Sequence, residues 1–163
     1  IPLFNRCRGW FGIRKMKWQW CLCIQLFFCF SIMAEPNVNE PRAKFNYQML
    51  CQGCHTAEGF GNTGVPQLKG FVGYFLNSQL GREYLIRIPG SANATLDDEQ
   101  LAEVINWTII KFGEASIPKN WRYYNAEEVA KYRQNPLMEV LEYRKHLILQ
   151  IQKNLIVENK RAL

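Results

Sequence analysis

The hydrophobic positions of this chain form one long apolar run near its start and helical patterns after it. The run extends from Trp18 to Met33 behind several basic residues, and Ala34 separates it from a polar segment. This order of basic, apolar, small and polar residues is typical of a secretory signal peptide. We therefore predict that residues 1–34 are a leader, with translation starting at Met16 and cleavage after Ala34.

A retained membrane anchor is the alternative interpretation of this run. Its 16 residues are fewer than the about 20 that a transmembrane helix needs, so cleavage is favoured. A lipoprotein signal fits less well, because the bulky Phe28 stands directly before Cys29. We expect a periplasmic protein, which is membrane-associated only if the leader is retained.

Two helices are predicted in the part of the chain that follows the leader. Pro41 is well placed in the first turn of one helix, where Phe45 and Met49 share a face. Phe45, Tyr47 and Met49 are expected to pack in the core. Thr95 is the predicted N-cap of the other helix, which has an acidic first turn and ends at Gly113. The apolar stripe of this second helix consists of Leu101, Val104, Ile105, Thr108, Ile109 and Phe112. We expect the two helices to pack against each other.

The pattern between these helices is less regular. Residues 58–64 are rich in Gly, Asn and Thr, which predicts a loop. A short helix is expected within residues 70–80. Residues 84–89 form a β-branched and aromatic run that ends at a proline, and we interpret residues 84–95 as a loop.

Residues 114–163 continue the helical pattern beyond what a small domain requires. Asn125 is expected to cap a short helix, and a long helix is predicted from residue 135 onward. Its apolar positions are Leu137, Leu141, Ile148, Ile151 and Leu155. We expect this helix to pack on the preceding domain; the alternative is a docking arm for a partner subunit or a second copy of the chain. The predicted fold class is all-α.

The charge of the chain is concentrated in the leader. The full sequence carries a net charge of +6, but five of its 20 Lys and Arg residues and none of its 14 Asp and Glu residues precede residue 35. The remainder therefore has 15 basic against 14 acidic side chains, a net charge of +1. This balance gives no indication of nucleic-acid binding.

The most specific chemical signal is the run Cys51-Gln52-Gly53-Cys54-His55. Cys-x-x-Cys-His is the attachment motif of a c-type haem. Two thiols about one helical turn apart can bond to the two vinyl groups of the porphyrin, and the next residue can ligate the iron. The sequence predicts one covalent haem c held by Cys51 and Cys54, with His55 as the proximal iron ligand.

Three other interpretations of the motif fit the sequence less well. A thioredoxin-like site would require parallel strands around it, which the pattern does not show. A structural zinc site needs four ligands, and beyond residue 34 the sequence offers only the two motif cysteines, His55 and the remote His146. A disulfide between Cys51 and Cys54 would close a very short, strained loop.

Residues near the motif resemble the class I, mono-haem cytochrome c family over roughly residues 40–113. Tyr47 precedes the first motif cysteine by four positions, residues 66–70 resemble the family's Pro-x-Leu-x-Gly stretch, and residues 95–107 resemble its last helix.

The resemblance implies a helical haem domain, which we place over residues 35–113. The helical pattern of residues 114–163 is then an extension beyond that domain. The resemblance also implies that the backbone carbonyl of Pro66 is the partner of the second ring nitrogen of His55.

The chain departs from this family at the distal ligand of the iron. The family normally has a methionine shortly before its last core helix, where this chain has residues Ile88-Pro89-Gly90. Beyond residue 34 only Met49 and Met138 remain, and we expect neither them nor His146 to reach the iron. The sequence leaves the distal ligand unassigned.

These observations predict an exported electron carrier that is not an enzyme and that docks a redox partner protein near the haem edge. The alternative is an open distal site that binds or senses nitric oxide, carbon monoxide or peroxide. In that case Tyr84, Arg87, Ser91 and Asn93 would line the distal pocket. Catalysis ranks below both, since no acid–base pair is evident near the motif.

Overall fold

The computed structural model describes residues 38–161, and the predicted leader lies outside this range. Seven α-helices are present in the described residues: α1 Glu40–Leu50, α2 Gln52–His55, α3 Gln79–Arg87, α4 Pro89–Ala92, α5 Asp98–Phe112, α6 Ala126–Arg133 and α7 Val140–Arg161. Two 3₁₀ helices are added at Val72–Asn77 and Glu114–Ser116. The same residues contain no strand beyond one isolated bridge, so the all-α prediction is confirmed.

Only one face of helix α1 is buried, although the sequence predicts core residues on both sides of it. Ala43 and Tyr47 are buried, whereas Phe45 is 58% and Met49 65% exposed. The expected core packing is therefore confirmed for Tyr47 and wrong for Phe45 and Met49. Apolar residues occur on opposite sides of this helix, so their four-residue spacing alone does not decide which side faces inward.

Helix α5 carries the central apolar stripe of the fold. Its N-cap is Asp97, whose side chain accepts a hydrogen bond from the Gln100 amide at 2.7 Å, and not the predicted Thr95. Asp97 can cap because it stands immediately before the first helical residue. The stripe is buried except for the half-buried Thr108. Helix α5 packs against α1, where the Tyr47 ring centroid lies 5.2 Å from that of Trp107. The predicted pairing of the two helices is confirmed.

The short helix expected within residues 70–80 is the 3₁₀ helix Val72–Asn77. Residues 84–87 complete α3, and Pro89 begins α4. The interpretation of residues 84–95 as a loop is therefore wrong over most of its length. Pro89 does not mark a loop here, because a proline is compatible with the first turn of a helix and can begin one directly after another ends.

Helix α6 packs against α3 and α5 and joins their core. Asn125 caps it as predicted, accepting a hydrogen bond from the Glu128 amide at 2.9 Å. The Glu128 carboxylate forms a salt bridge of 2.7 Å with Arg82 of α3, and both side chains are 7% exposed. Helix α6 is thus part of the same hydrophobic core as α1 and α5.

Helix α7 begins at Val140, later than predicted, and this shifts its buried face. Leu147 and Ile151 are buried, while Leu141 is 73% exposed. The predicted place of Leu141 in the buried stripe is therefore wrong, because residues 135–139 are not helical and the helical phase starts anew. The first half of α7 packs on the domain as expected. None of the helices in residues 38–161 combines the length and apolar character needed to cross a membrane.

Candidate functional site

An apolar cavity lies between α1, α2, α5 and the segment around α4. The empty space between these elements is about 800 Å³ when the open mouth is included. The lining residues are Tyr47, Leu50, Cys51, Cys54, His55, Leu68, Val72, Leu85, Ile88, Gly90, Ser91, Ala94, Leu96, Leu101, Val104, Ile105, Thr108 and Ile109. The three chemically distinctive residues of the motif therefore share one apolar cavity.

The turn between α1 and α2 positions the two cysteines. The amides of Cys54 and His55 both donate to the Cys51 carbonyl, at 3.1 and 3.0 Å. Cys51 is half-buried and Cys54 exposed, and both are free thiols. Burial raises the pKa of Cys51 to about 11, with a smaller contribution from Cys54, so Cys51 is a protonated thiol at neutral pH. This arrangement leaves both sulfurs available for thioether bonds.

His55 is oriented by a backbone carbonyl. Its Nδ1 lies 3.2 Å from the Pro66 oxygen, which is the hydrogen bond that the family resemblance implies. Burial lowers the pKa of His55, and the Pro66 carbonyl opposes this shift. A neutral imidazole that donates through Nδ1 has its Nε2 lone pair free for a metal.

The loop after the motif places this carbonyl, and the sequence reasoning missed the residue that permits it. Gly61 has φ +77°, and a Cβ there would lie 2.3 Å from the Val65 oxygen and 2.9 Å from the Pro66 oxygen. No side chain fits in this space. The glycine-rich composition of residues 58–64 was the available signal, but it does not indicate which glycine is essential.

A second unpredicted contact fixes the end of the motif. The Tyr47 hydroxyl donates to the Thr56 carbonyl at 2.8 Å, and Thr56 adopts a left-handed conformation with φ +63°. The Tyr47 ring is buried against Trp107 and Phe112. Tyr47 therefore couples the motif to helix α5.

One wall of the cavity precedes α5, where the resemblance implies the distal ligand, and we call it the distal wall. It consists of Leu85, Ile88, Gly90, Ser91, Ala94 and Leu96. Of the four polar candidates for this region, Ser91 lines the cavity, whereas Tyr84, Arg87 and Asn93 do not. Tyr84 stacks on Phe75 at 4.8 Å and Arg87 bonds to the Asn135 carbonyl at 2.8 Å, because α3 directs both away from the cavity.

The remaining candidate donors lie elsewhere. Met49 and Met138 are 65% and 89% exposed, His146 is exposed, and none of them lines the cavity. Within residues 38–161, His55 is the only histidine or methionine that does so. In the same residues no group of three or more His, Cys, Asp or Glu side chains is arranged to hold a metal ion.

The donor set fits an iron porphyrin. The apolar macrocycle of the porphyrin suits the aliphatic walls of the cavity. The thiols of Cys51 and Cys54 can form thioethers, and the oriented imidazole of His55 can ligate the iron.

Comparison with known proteins agrees with this fit. No family model matches the chain. The chain is similar to cytochrome c-552 of Thermus thermophilus, with 36% identity over 118 residues that cover 60% of this chain and 90% of that protein. A second cytochrome c-552, from a defined strain of the same species, gives 36% identity over 118 residues, covering 60% of this chain and 80% of that protein. The chain therefore belongs to the cytochrome c family.

Proposed function

We propose that this chain is an electron carrier whose single haem c is attached through Cys51 and Cys54, with His55 as the proximal iron ligand. Membership of the cytochrome c family supports electron transfer and a covalent haem c, and does not favour an enzyme or a ligand sensor. The single observation that supports these residue assignments is that Cys51, Cys54 and His55 all line one apolar cavity.

The residues of the site would support electron transfer in distinct ways. When bound, the haem supplies a one-electron ferric–ferrous couple. The Nδ1–H of His55 donates to the Pro66 carbonyl, which fixes the ring and makes the imidazole more basic. The aliphatic side chains exclude water from the cavity, and solvent access is one of the factors that set the potential.

The mouth of the cavity is the proposed docking site of a redox partner protein. Cys54 is exposed there, and Leu50 beside it is 45% exposed. A haem edge at this position would approach the protein surface. Because residues 35–163 have a net charge near zero, we expect weak electrostatic steering and a modest salt dependence of association.

The proposed location is the periplasm. The leader pattern of residues 1–34 supports export. Four of the six cysteines lie in that leader, so cleavage would leave only the two haem-binding cysteines in an oxidising compartment.

The decisive experiment examines the protein after expression in a host that attaches c-type haem. The wild type should show reversible one-electron reduction in its visible spectrum and keep its pigment in acidified acetone. A variant with Cys51→Ala and Cys54→Ala should lose its pigment to the solvent. Gly53→Ala is the matched control inside the motif, because a Cβ there meets nothing within 4 Å, and it should behave as the wild type. A colourless wild type, or one that loses its pigment to the solvent, would refute the proposal.

A further inference from the structure

One arginine of the helical extension, Arg133, contacts the segment that forms part of the distal wall. Arg133 is the last residue of α6, and its side chain is 16% exposed. Its guanidinium donates to the carbonyls of Leu96 and Ala94, both at 2.8 Å, and to that of Ala92 at 3.3 Å. It also forms a 2.9 Å salt bridge with Asp98. One side chain thus binds three carbonyls and a carboxylate of a seven-residue segment, 92–98.

This set of partners requires an arginine. A guanidinium has five N–H donors in a rigid plane, which can reach several acceptors arranged around it. A lysine ammonium has three donors at one point and cannot reach acceptors spread along a segment. Arg133 therefore determines the path of the backbone between α4 and α5.

The segment that Arg133 holds belongs to the haem cavity. Ala94 and Leu96 line it, and Ser91 lies one residue before the segment. A second link fixes the other end of the distal wall, where the Leu137 amide donates to the Arg87 carbonyl at 2.9 Å. Residues beyond 125 thus support the distal wall at both of its ends.

The distal wall offers the iron no side chain of the kind that usually ligates a haem. None of its six residues carries a thioether or an imidazole. Access of a small molecule to the iron therefore depends on how closely the wall is packed. Loss of the contacts of Arg133 should loosen that packing.

We propose that Arg133 is a positioning residue that holds the distal wall in place and thereby limits the access of small ligands to the haem iron. This inference rests on the proposed function, since it needs a haem in the cavity.

Carbon monoxide is the probe, and the matured full-length protein is the sample. The association rate of carbon monoxide with the ferrous protein is measured by stopped flow for the wild type, Arg133→Gln and Arg133→Lys. We expect Arg133→Gln to bind carbon monoxide on the order of tenfold faster, the rate change for an entry barrier lowered by about 1.4 kcal/mol. Arg133→Lys should lie between it and the wild type, and it also serves if the glutamine variant does not fold.

Arg122→Gln is the matched control. Arg122 lies in the same extension and is 63% exposed, and within residues 38–161 the one acidic side chain it reaches is that of Glu128, at 3.4 Å, so the control should keep the wild-type rate. Lower thermal stability of Arg133→Gln alone would indicate a merely structural role, whereas the association rate reports on the cavity. Equal rates in the wild type and both Arg133 variants, or no binding by any of them, would overturn the inference. A wild type without covalent haem would instead refute the proposed function.

Discussion

Gly61 lies where the loop after the cysteine motif turns back toward His55. Its left-handed φ of +77° and the two carbonyl oxygens close to its absent Cβ leave no room for a side chain. A substitution there must displace the backbone that carries the Pro66 oxygen, which lies 3.2 Å from the His55 ring. At the scale of single residues, a glycine thus determines how the proposed iron ligand is oriented.

Gly61→Ala should therefore raise the midpoint potential of the haem. Weakening the bond from His55 Nδ1 to the Pro66 carbonyl makes the imidazole a poorer donor, and a poorer donor stabilises ferric iron less. The expected change is roughly 60 mV, a tenfold shift for a one-electron couple. Spectroelectrochemical titration measures it.

Gly64→Ala provides the control for this variant. Gly64 has nearly the same φ, +78°, but a Cβ there meets nothing within 4 Å. Both variants bear the backbone cost of a left-handed alanine, roughly 1–3 kcal/mol. If they shift the potential equally, the position of the Pro66 carbonyl does not tune the haem.

Single residues of the site differ in how far the sequence reveals them. Cys51, Cys54 and His55 can be proposed because they are adjacent in the chain, and a local turn is sufficient to bring them together. Arg133 contacts a segment 35 to 41 positions earlier, so no local pattern indicates it. The prediction that Tyr84 and Arg87 line the distal pocket is wrong, because the phase of a helix, and not the polarity of a residue, decides which side chains face a cavity.

At the scale of helices, the packing of α1 on α5 holds the motif against the cavity. Ala43 is 0% exposed and Tyr47 1%, while Phe45 and Met49 lie on the outer face of α1. The sequence predicted that the two helices pair and that Tyr47 is buried, but it also placed Phe45 and Met49 in the core. Capping and turn residues indicate a helix start to within a few positions, as Asp97 in place of the predicted Thr95 shows, whereas the buried face depends on the partner helix.

Ala43→Leu should destabilise the protein by about 1–3 kcal/mol, because three additional carbons must enter a fully packed contact. Phe45→Leu is the control on the opposite face and should change the free energy of unfolding by less than about 0.5 kcal/mol. Denaturant unfolding of the matured protein measures both. Similar effects of the two substitutions would contradict the orientation of α1.

Helix α6 is joined to α3 by a buried ion pair. Arg82 and Glu128 are 2.7 Å apart, and Arg82 also donates to the Arg122 carbonyl at 2.6 Å. Glu128→Gln would leave the Arg82 charge buried without a full partner, which typically costs about 3–5 kcal/mol. Glu127→Gln, at the exposed neighbouring position, should have little effect. Chemical denaturation of both variants tests this, and equal stabilities would show that the buried pair contributes nothing.

At the scale of the whole molecule, the described residues belong to one compact unit. The haem domain expected over residues 35–113 and the extension over 114–163 share one hydrophobic core, which includes Val129 and Leu147. The sequence suggested packing of the extension through its helical periodicity. It could not show that the extension supports the cavity wall, because that contact depends on where α6 ends relative to α4.

Truncation tests how far the molecule depends on this extension. Removal of residues 125–163 should abolish the cooperative unfolding transition and lower the yield of haem protein, because it deletes Glu128, Val129, Leu147 and Ile151 from the core. Removal of residues 156–163 should leave both unchanged, since Ile156 and Val157 are 57% and 41% exposed. Thermal unfolding and haem content measure the two effects. A stable haem protein that lacks residues 125–163 would contradict this dependence. Loss of partner binding in the shorter truncation would then assign a docking role to the end of α7.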